Sequence, residues 1–113
     1  MKMFDNHRFK VEFLKEAFDF LESLDIKTSE KILENIRIAK IKNDPRLLKK
    51  IDKEIWEFRT YYNSKQIRLL AFWDKEEKSL IVCTHGFIKK TKKLPNKEIK
   101  KAKRLRTEYF NSK

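Results

Sequence analysis

The sequence predicts a small α+β domain: an antiparallel sheet with helices packed on one face, in the order β-α-α-β-β-β-α. Three observations predict it. Two apolar stripes at helical spacing precede Pro45, three β-rich segments at short intervals fill residues 55–85, and a further helical stripe follows Pro95. Strands joined by short loops cannot make parallel crossovers, so the middle region reads as an antiparallel meander. The chain has 113 residues, enough for one core, and residues 1–113 read as a single domain.

Each element follows from its own pattern. Arg8 to Phe13 alternates polar and apolar side chains, as a half-buried strand does. Leu14, Ala17, Phe18, Leu21 and Leu24 recur at spacings of three and four, which makes an amphipathic helix. Asp25 and the pair Thr28-Ser29 suit a cap for a second helix, whose apolar face is Ile32, Leu33, Ile36 and Ala39. That helix should stop before Asp44-Pro45, because proline disfavours helical geometry in the residue before it. Ile55–Tyr62, Gln66–Trp73 and Ser79–His85 are the strands, divided by a turn at Asn63-Ser64-Lys65 and a charged turn at 74–78. Asn96 is the expected cap of the last helix, with Glu98 in its first turn and Ile99, Ala102, Leu105 and Tyr109 on its apolar face.

Charge narrows the function. There are 29 Lys and Arg against 17 Asp and Glu, a formal net charge of +12. Residues 88–113 alone carry 11 basic and 2 acidic side chains, so most of the excess lies in the last quarter of the chain. Such a surface seeks a polyanion or an acidic partner. The 9 Phe, 2 Trp and 3 Tyr supply a core that a disordered basic tail would lack. One glycine excludes a glycine-rich phosphate loop. His7, His85 and the single Cys83 give no metal-ligand spacing, so neither metal nor cofactor is expected. Cys83 reads as an inert core residue in a reducing compartment. No apolar run would span a membrane, and the first ten residues lack a signal-peptide core, so a cytoplasmic protein is expected.

The candidate site is a set of polar side chains in otherwise apolar strands. Glu57 and Arg59 lie two apart and share a face; Arg68 interrupts the next strand; His85 closes the third and leads into Phe87, Lys89, Lys90, Lys92 and Lys93. With helices on one face only, the other would be an open, cation-rich surface suited to phosphates. The competing reading is a set of cross-strand ion pairs on a solvated sheet. Phe87 and Thr91 interleave with the lysines, a pattern that suits base stacking beside phosphate contacts. On the last helix Lys100, Lys103, Arg104 and Arg106 present a basic surface that Glu98 and Glu108 cannot neutralise, suited to a structured nucleic-acid backbone.

Taken in order, Ile55-Trp56-Glu57-Phe58-Arg59, Ile67-Arg68-Leu69-Leu70-Ala71-Phe72, and His85-Gly86-Phe87-Ile88-Lys89-Lys90-Thr91-Lys92-Lys93-Leu94-Pro95 with Glu98-Ile99 resemble the HigB-like branch of the RelE/ParE toxin superfamily. The resemblance covers about residues 51–110; Lys92 and Leu94 stand where many relatives have Gln and Thr. It implies a RelE-like fold and a toxin of a type II toxin–antitoxin pair, a metal-independent endoribonuclease that cuts mRNA on the ribosome and is held by a cognate antitoxin, commonly a helix-turn-helix protein. Carried onto this chain, its motif positions are Glu57, Arg59, Arg68, His85, Phe87, Lys89 and Lys90. Glu57, Arg68, His85, Lys89 and Lys90 would be catalytic and Arg59 and Phe87 would bind substrate, with Lys92 and Lys93 expected to join them from the charge of the same loop. Arg68 with Lys89 or Lys90 would stabilise the phosphorane, while Glu57 and His85 would serve as base and acid, in either assignment. Lys100, Lys103, Arg104 and Arg106 would dock on ribosomal RNA. A ParE-type gyrase poison and a non-catalytic RNA-binding module are the rival readings.

Overall fold

The structure, a computed structural model, describes residues 7–77 and 79–113. Residues 1–6, which bear on the signal-peptide expectation, and Lys78 of the charged turn lie outside the described residues. The elements are β1 (Lys10–Phe13), α1 (Lys15–Ser23), α2 (Ile26–Ile41), β2 (Leu48–Lys50), β3 (Trp56–Tyr62), β4 (Lys65–Trp73), β5 (Leu80–Lys89) and α3 (Asn96–Asn111). The α+β class and the central meander are as the sequence predicts. Three features differ.

First, the sheet is mixed, in the order β1-β5-β4-β3-β2. β1 lies parallel to β5, with Lys10 opposite Leu80 and Phe13 opposite Cys83. Between the two edge strands the chain crosses the full sheet width, roughly 19 Å at the usual strand spacing. A 16-residue α2 is about 24 Å long and can carry it there. Asp25 caps that helix as expected, accepting from the Thr28 backbone N–H at 3.2 Å and the Thr28 hydroxyl at 2.6 Å.

Second, β2 is an added edge strand that Leu48-Lys49-Lys50 is too short and too basic to announce. Leu48 is buried, and the Arg59 N–H donates to the Leu47 carbonyl at 2.8 Å.

Third, α3 does not join α1 and α2. Those two helices bury Ala17, Leu21, Ile32, Ile36 and Ala39 against Phe58, Ile67, Leu69, Ala71, Ile81 and Cys83 on one face. On the opposite face Ala102, Tyr109 and Phe110 of α3 pack on Leu70, Phe72, Leu80 and Val82. The face expected to be open is therefore half covered. Pro95, not Asn96, stands at the N-cap, with no side-chain capping bond. The helix is tied down at its far end by buried Asp74, which accepts from Tyr109 Oη at 2.6 Å, from the Lys113 ammonium and from the backbone N–H groups of Glu76 and Glu77. Burial alone would raise the Asp74 pKa; these donors instead hold its carboxyl well below the usual carboxylate range.

Turn chemistry sets the strand pairing. Asn63 and Ser64 both have positive φ, 52° and 61°, as a two-residue hairpin loop requires. The resulting register places Glu57 opposite Leu70 and Arg59 opposite Arg68. β5 then carries an irregularity: Ala71 pairs with Cys83 but Leu70 pairs with His85, leaving Thr84 as an extra residue. A bulge of this kind moves every later side chain to the other face. His85 and Phe87 consequently face α3 alongside Leu70 and Arg68, and β5 continues to Lys89 rather than ending at His85.

The chain's one glycine follows the bulge because α1 leaves no room for a side chain. A Cβ on Gly86 would sit 2.2 Å from Phe20 Cδ2 and 2.8 Å from Leu69 Cδ2. Gly86→Ala should therefore destabilise the fold by about 1–3 kcal/mol in urea unfolding. Adding Phe20→Ala should make the Gly86→Ala step cheaper than it is alone; equal costs in both backgrounds would show that Phe20 is not what excludes the methyl group.

Candidate nucleic-acid interface

Period-two alternation brings Glu57, Arg59 and Tyr61 of β3, Gln66 and Arg68 of β4, and His85, Phe87 and Lys89 of β5 to one face. α3 covers the Leu70 end of that face and does not reach Arg59, Gln66 and Lys89 at the other end.

The centre is one carboxylate between two guanidinium groups. Glu57 Oε1 lies 3.4 Å from Arg68 Nε, and Glu57 Oε2 lies 3.4 Å from Arg59 Nε. The Arg68 side chain is only 3% exposed and that of Arg59 31%. Cross-strand ion pairs are thus present, but they are not balanced: two cations share one anion. Neither Nε finds hydrogen-bonding geometry with Glu57, and both are buried donors without a hydrogen-bond partner among the described residues. Arg68 spends its other nitrogens on the Ile67 carbonyl at 3.0 Å and Gln66 Oε1 at 3.2 Å. Burial lowers the Arg68 pKa, with Glu57 opposing and Arg59 reinforcing that shift. The guanidinium still stays charged at neutral pH. Buried donors left unpaired cost about 1–3 kcal/mol each, a penalty that an arriving anion would remove.

Arg59, Gln66 and Arg68 form the floor of a hollow of about 400 Å³ whose wall is Lys89, Lys90, Thr91 and Lys92. A second hollow of about 400 Å³ shares the same three residues and continues past Thr60 and Tyr61 to Lys31, Asn35, Arg46 and Leu47. The two hollows meet at Arg59, Gln66 and Arg68 and are together called the cationic channel.

The structure divides the expected site residues. Arg59, Arg68, Lys89, Lys90 and Lys92 converge on the channel, and Glu57 holds the arginines. Phe87 lies beside Arg68 in register and stacks on His85, with ring centroids 6.1 Å apart. His85 does not line either hollow. It is buried, with Nδ1 3.0 Å from Thr84 Oγ1 and Nε2 3.0 Å from Glu98 Oε1. Burial lowers its pKa, against the raising effect of Glu98. A neutral ring can donate from Nε2 to the Glu98 carboxylate, with Nδ1 beside a Thr84 hydroxyl that also donates to the Leu70 carbonyl at 3.2 Å. His85 fastens β5 to the first turn of α3. Lys93 is exposed and does not line the hollows; its carbonyl accepts from the Thr91 hydroxyl at 2.7 Å.

The basic surface of α3 is also not what its sequence suggests. Acids from other elements reach it: Lys103 pairs with Asp52 at 3.0 Å and Arg106 with Glu54 at 2.7 Å. Lys101 pairs with Glu16 and Arg104 with Glu108, both at 2.7 Å. Of the four residues expected to dock on RNA, only Lys100 shows no such ion pair. Sequence reading missed Gln66, although it sits two residues before Arg68 on the same face. It also missed Tyr61, Lys31, Asn35 and Arg46, which the fold gathers from separate elements with no local signal. Among the described residues no group of three or more His, Cys, Asp and Glu side chains is placed to hold a metal ion. No described helix is long and apolar enough to cross a membrane.

The buried histidine predicts a pH dependence. Its folded pKa is depressed, so the unfolded chain binds more protons as pH falls below the ordinary value of about 6.5. The stability it contributes is complete above that value and is lost as pH falls toward the folded pKa. Between pH 7.5 and 5.5 the parent should lose more stability than His85→Gln in urea unfolding. Identical pH profiles would show that His85 is not held neutral.

Comparison with known proteins places this geometry in a family. The model of the family described as "Phage derived protein Gp49-like (DUF891)" matches residues 19–107, from the middle of α1 almost to the end of α3. Among solved structures, the archaeal RelE–RelB complex from Pyrococcus horikoshii OT3 is similar with a TM-score of 0.49 and 15% identity, over 72% of this chain and 94% of that one. No curated protein matches the sequence. The extent of the family match, well over half the chain, shows that this protein belongs to the Gp49-like family.

Proposed function

We propose that the chain is the toxin of a type II toxin–antitoxin pair, a metal-independent endoribonuclease that cleaves mRNA on the ribosome in the cytoplasm. The observation that carries this reading is the arginine pair at the middle of a cationic channel, whose two Nε donors are buried without a hydrogen-bond partner among the described residues. Membership of the Gp49-like family, a toxin-like family of RelE kind, supports it.

In the proposed reaction the 2′-oxygen of the substrate attacks the adjacent phosphorus, the P–O5′ bond breaks, and a 2′,3′-cyclic phosphate and a 5′-hydroxyl result. Charge builds on the phosphorane oxygens, which Arg59 and Arg68 would meet from the channel floor. Preorganised cations of this kind supply a large share of such catalysis. Glu57, the carboxylate in contact with both arginines, would take the 2′ proton. The proton for the 5′-oxygen would come from Lys89 or Lys90 on the channel wall, because His85 is occupied on both nitrogens. Lys92 would bind phosphate, Phe87 would support a base beside Arg68, and Lys93 and Lys100 would face ribosomal RNA.

The partner would be an antitoxin, of helix-turn-helix type if the HigB-like resemblance extends to it. Phe18, Ile26 and Leu33 are exposed and line an apolar groove with Glu22 and Glu30. Residues 12–34 carry 7 acids against 3 lysines, the reverse of the rest of the chain. RNA would avoid that face, and a protein could cover it.

One observation favours a second reading, a non-catalytic RNA-binding module: Glu57 is committed to two arginines and His85 to Glu98. Arg68→Lys combined with Lys90→Ala separates the two, since lysine keeps the buried charge but loses the fork. On translating ribosomes the parent should leave cleaved mRNA, and the double variant, shown by circular dichroism to be folded, should cleave at least about 100-fold more slowly. Parental-rate cleavage by a folded double variant would refute the assignment. Salt-sensitive RNA binding by the parent without cleavage or growth arrest would establish the binding module instead.

A further inference from the structure

We propose that the exposed ring of Tyr61 is a stacking platform for a nucleobase of single-stranded RNA, next along the strand from the phosphate at Arg59 and Arg68. The proposal rests on the RNA-binding reading above and names a recognition element within the same channel.

Tyr61 is 63% exposed near the turn end of β3, which the fold explains without accounting for the choice of residue. β2 pairs with β3 only as far as Phe58, so no strand lies beside Tyr61 on that edge. α3 covers the other end of the sheet. Tyr61 shares its face with Arg59 and stands opposite Gln66, so it is one step along the strand from the arginine pair.

The channel has two unlike arms. The wall of Lys89, Lys90, Thr91 and Lys92 offers point charges and no ring. The arm past Tyr61 offers a ring with few cations beside it, namely Lys31 and Arg46. Arg46 is already forked on Asp44, at 2.9 and 3.1 Å, so its charge is offset. The Asn35 amide donates to Thr60 Oγ1 at 3.2 Å and fastens α2 to β3 behind the ring. A strand running from the lysine wall over the arginines to Tyr61 would meet cations first and an aromatic face next. Alternating phosphate and base contacts of this kind suit a single strand, whose bases are free to stack, and not a duplex.

The test uses a fluorescent hexanucleotide, 2′-O-methylated so that it cannot be cut, titrated with the whole protein and followed by anisotropy at several salt concentrations. Tyr61→Ala should weaken binding about tenfold to a hundredfold without changing the slope against log salt, whereas Tyr61→Phe should bind like the parent. Lys31→Ala should instead reduce that slope by about one. If Tyr61→Ala binds as tightly as the parent, the platform is overturned while the RNA reading stands. If the parent itself does not bind the oligonucleotide at low salt, both fall.

Discussion

Strand side chains alternate between faces, so the extra residue at Thr84 decides which part of β5 this protein presents and which it buries. Before the bulge, Ile81 and Cys83 face the α1–α2 core. After it, His85, Phe87 and Lys89 face α3 and the channel, in register with Leu70, Arg68 and Gln66. With strict alternation the histidine and phenylalanine would point into the α1–α2 core instead. Gly86 then becomes the residue that faces α1, and Phe20 fills the space where its side chain would be. Bulge, glycine and phenylalanine form one constraint, and both the sheet packing and the channel depend on it.

Charge divides into two uses. On α3 the basic side chains are largely paired: Lys101 reaches Glu16 of α1, and Lys103 and Arg106 reach Asp52 and Glu54 between β2 and β3. Exposed pairs of this kind contribute little each, about 0–1 kcal/mol, but they remove cations from the free surface. Around the arginine pair the balance is opposite, with two guanidiniums on one buried carboxylate and lysines along the wall. Burying such a group costs several kcal/mol, which one carboxylate shared between two guanidiniums offsets only in part. A ligand anion that completes the set explains the arrangement more directly than stability does.

Much of this was readable in the chain. Apolar periodicity located α1, α2 and α3, and β-branched and aromatic runs located β3, β4 and β5. The positions of Glu57, Arg59 and Arg68 on one face followed from period two alone. The rest required partners that no local pattern reveals. Leu48-Lys49-Lys50 becomes a strand only because β3 offers it an edge, and β1 is parallel because the helical hairpin returns the chain to the far edge of the sheet. The α3 charges looked uncompensated because Glu16, Asp52 and Glu54 are distant in sequence. His85 looked like a catalyst because its partner Glu98 was read only as a helix-end charge. Family resemblance pointed to the toxin class, and the Gp49-like match agrees with it at that coarser level.

The central claim is that the arginine pair on Glu57 receives the phosphate at which RNA is cut. A crystal structure of the protein with an oligoribonucleotide blocked by a single 2′-O-methyl group at the cleavage site tests it most directly. The account predicts a phosphate oxygen at hydrogen-bond distance, about 2.9 Å, from Arg59 and Arg68 nitrogens, with Glu57 still between them. RNA bound along α3 or elsewhere, with both Nε groups left unpartnered, would contradict it.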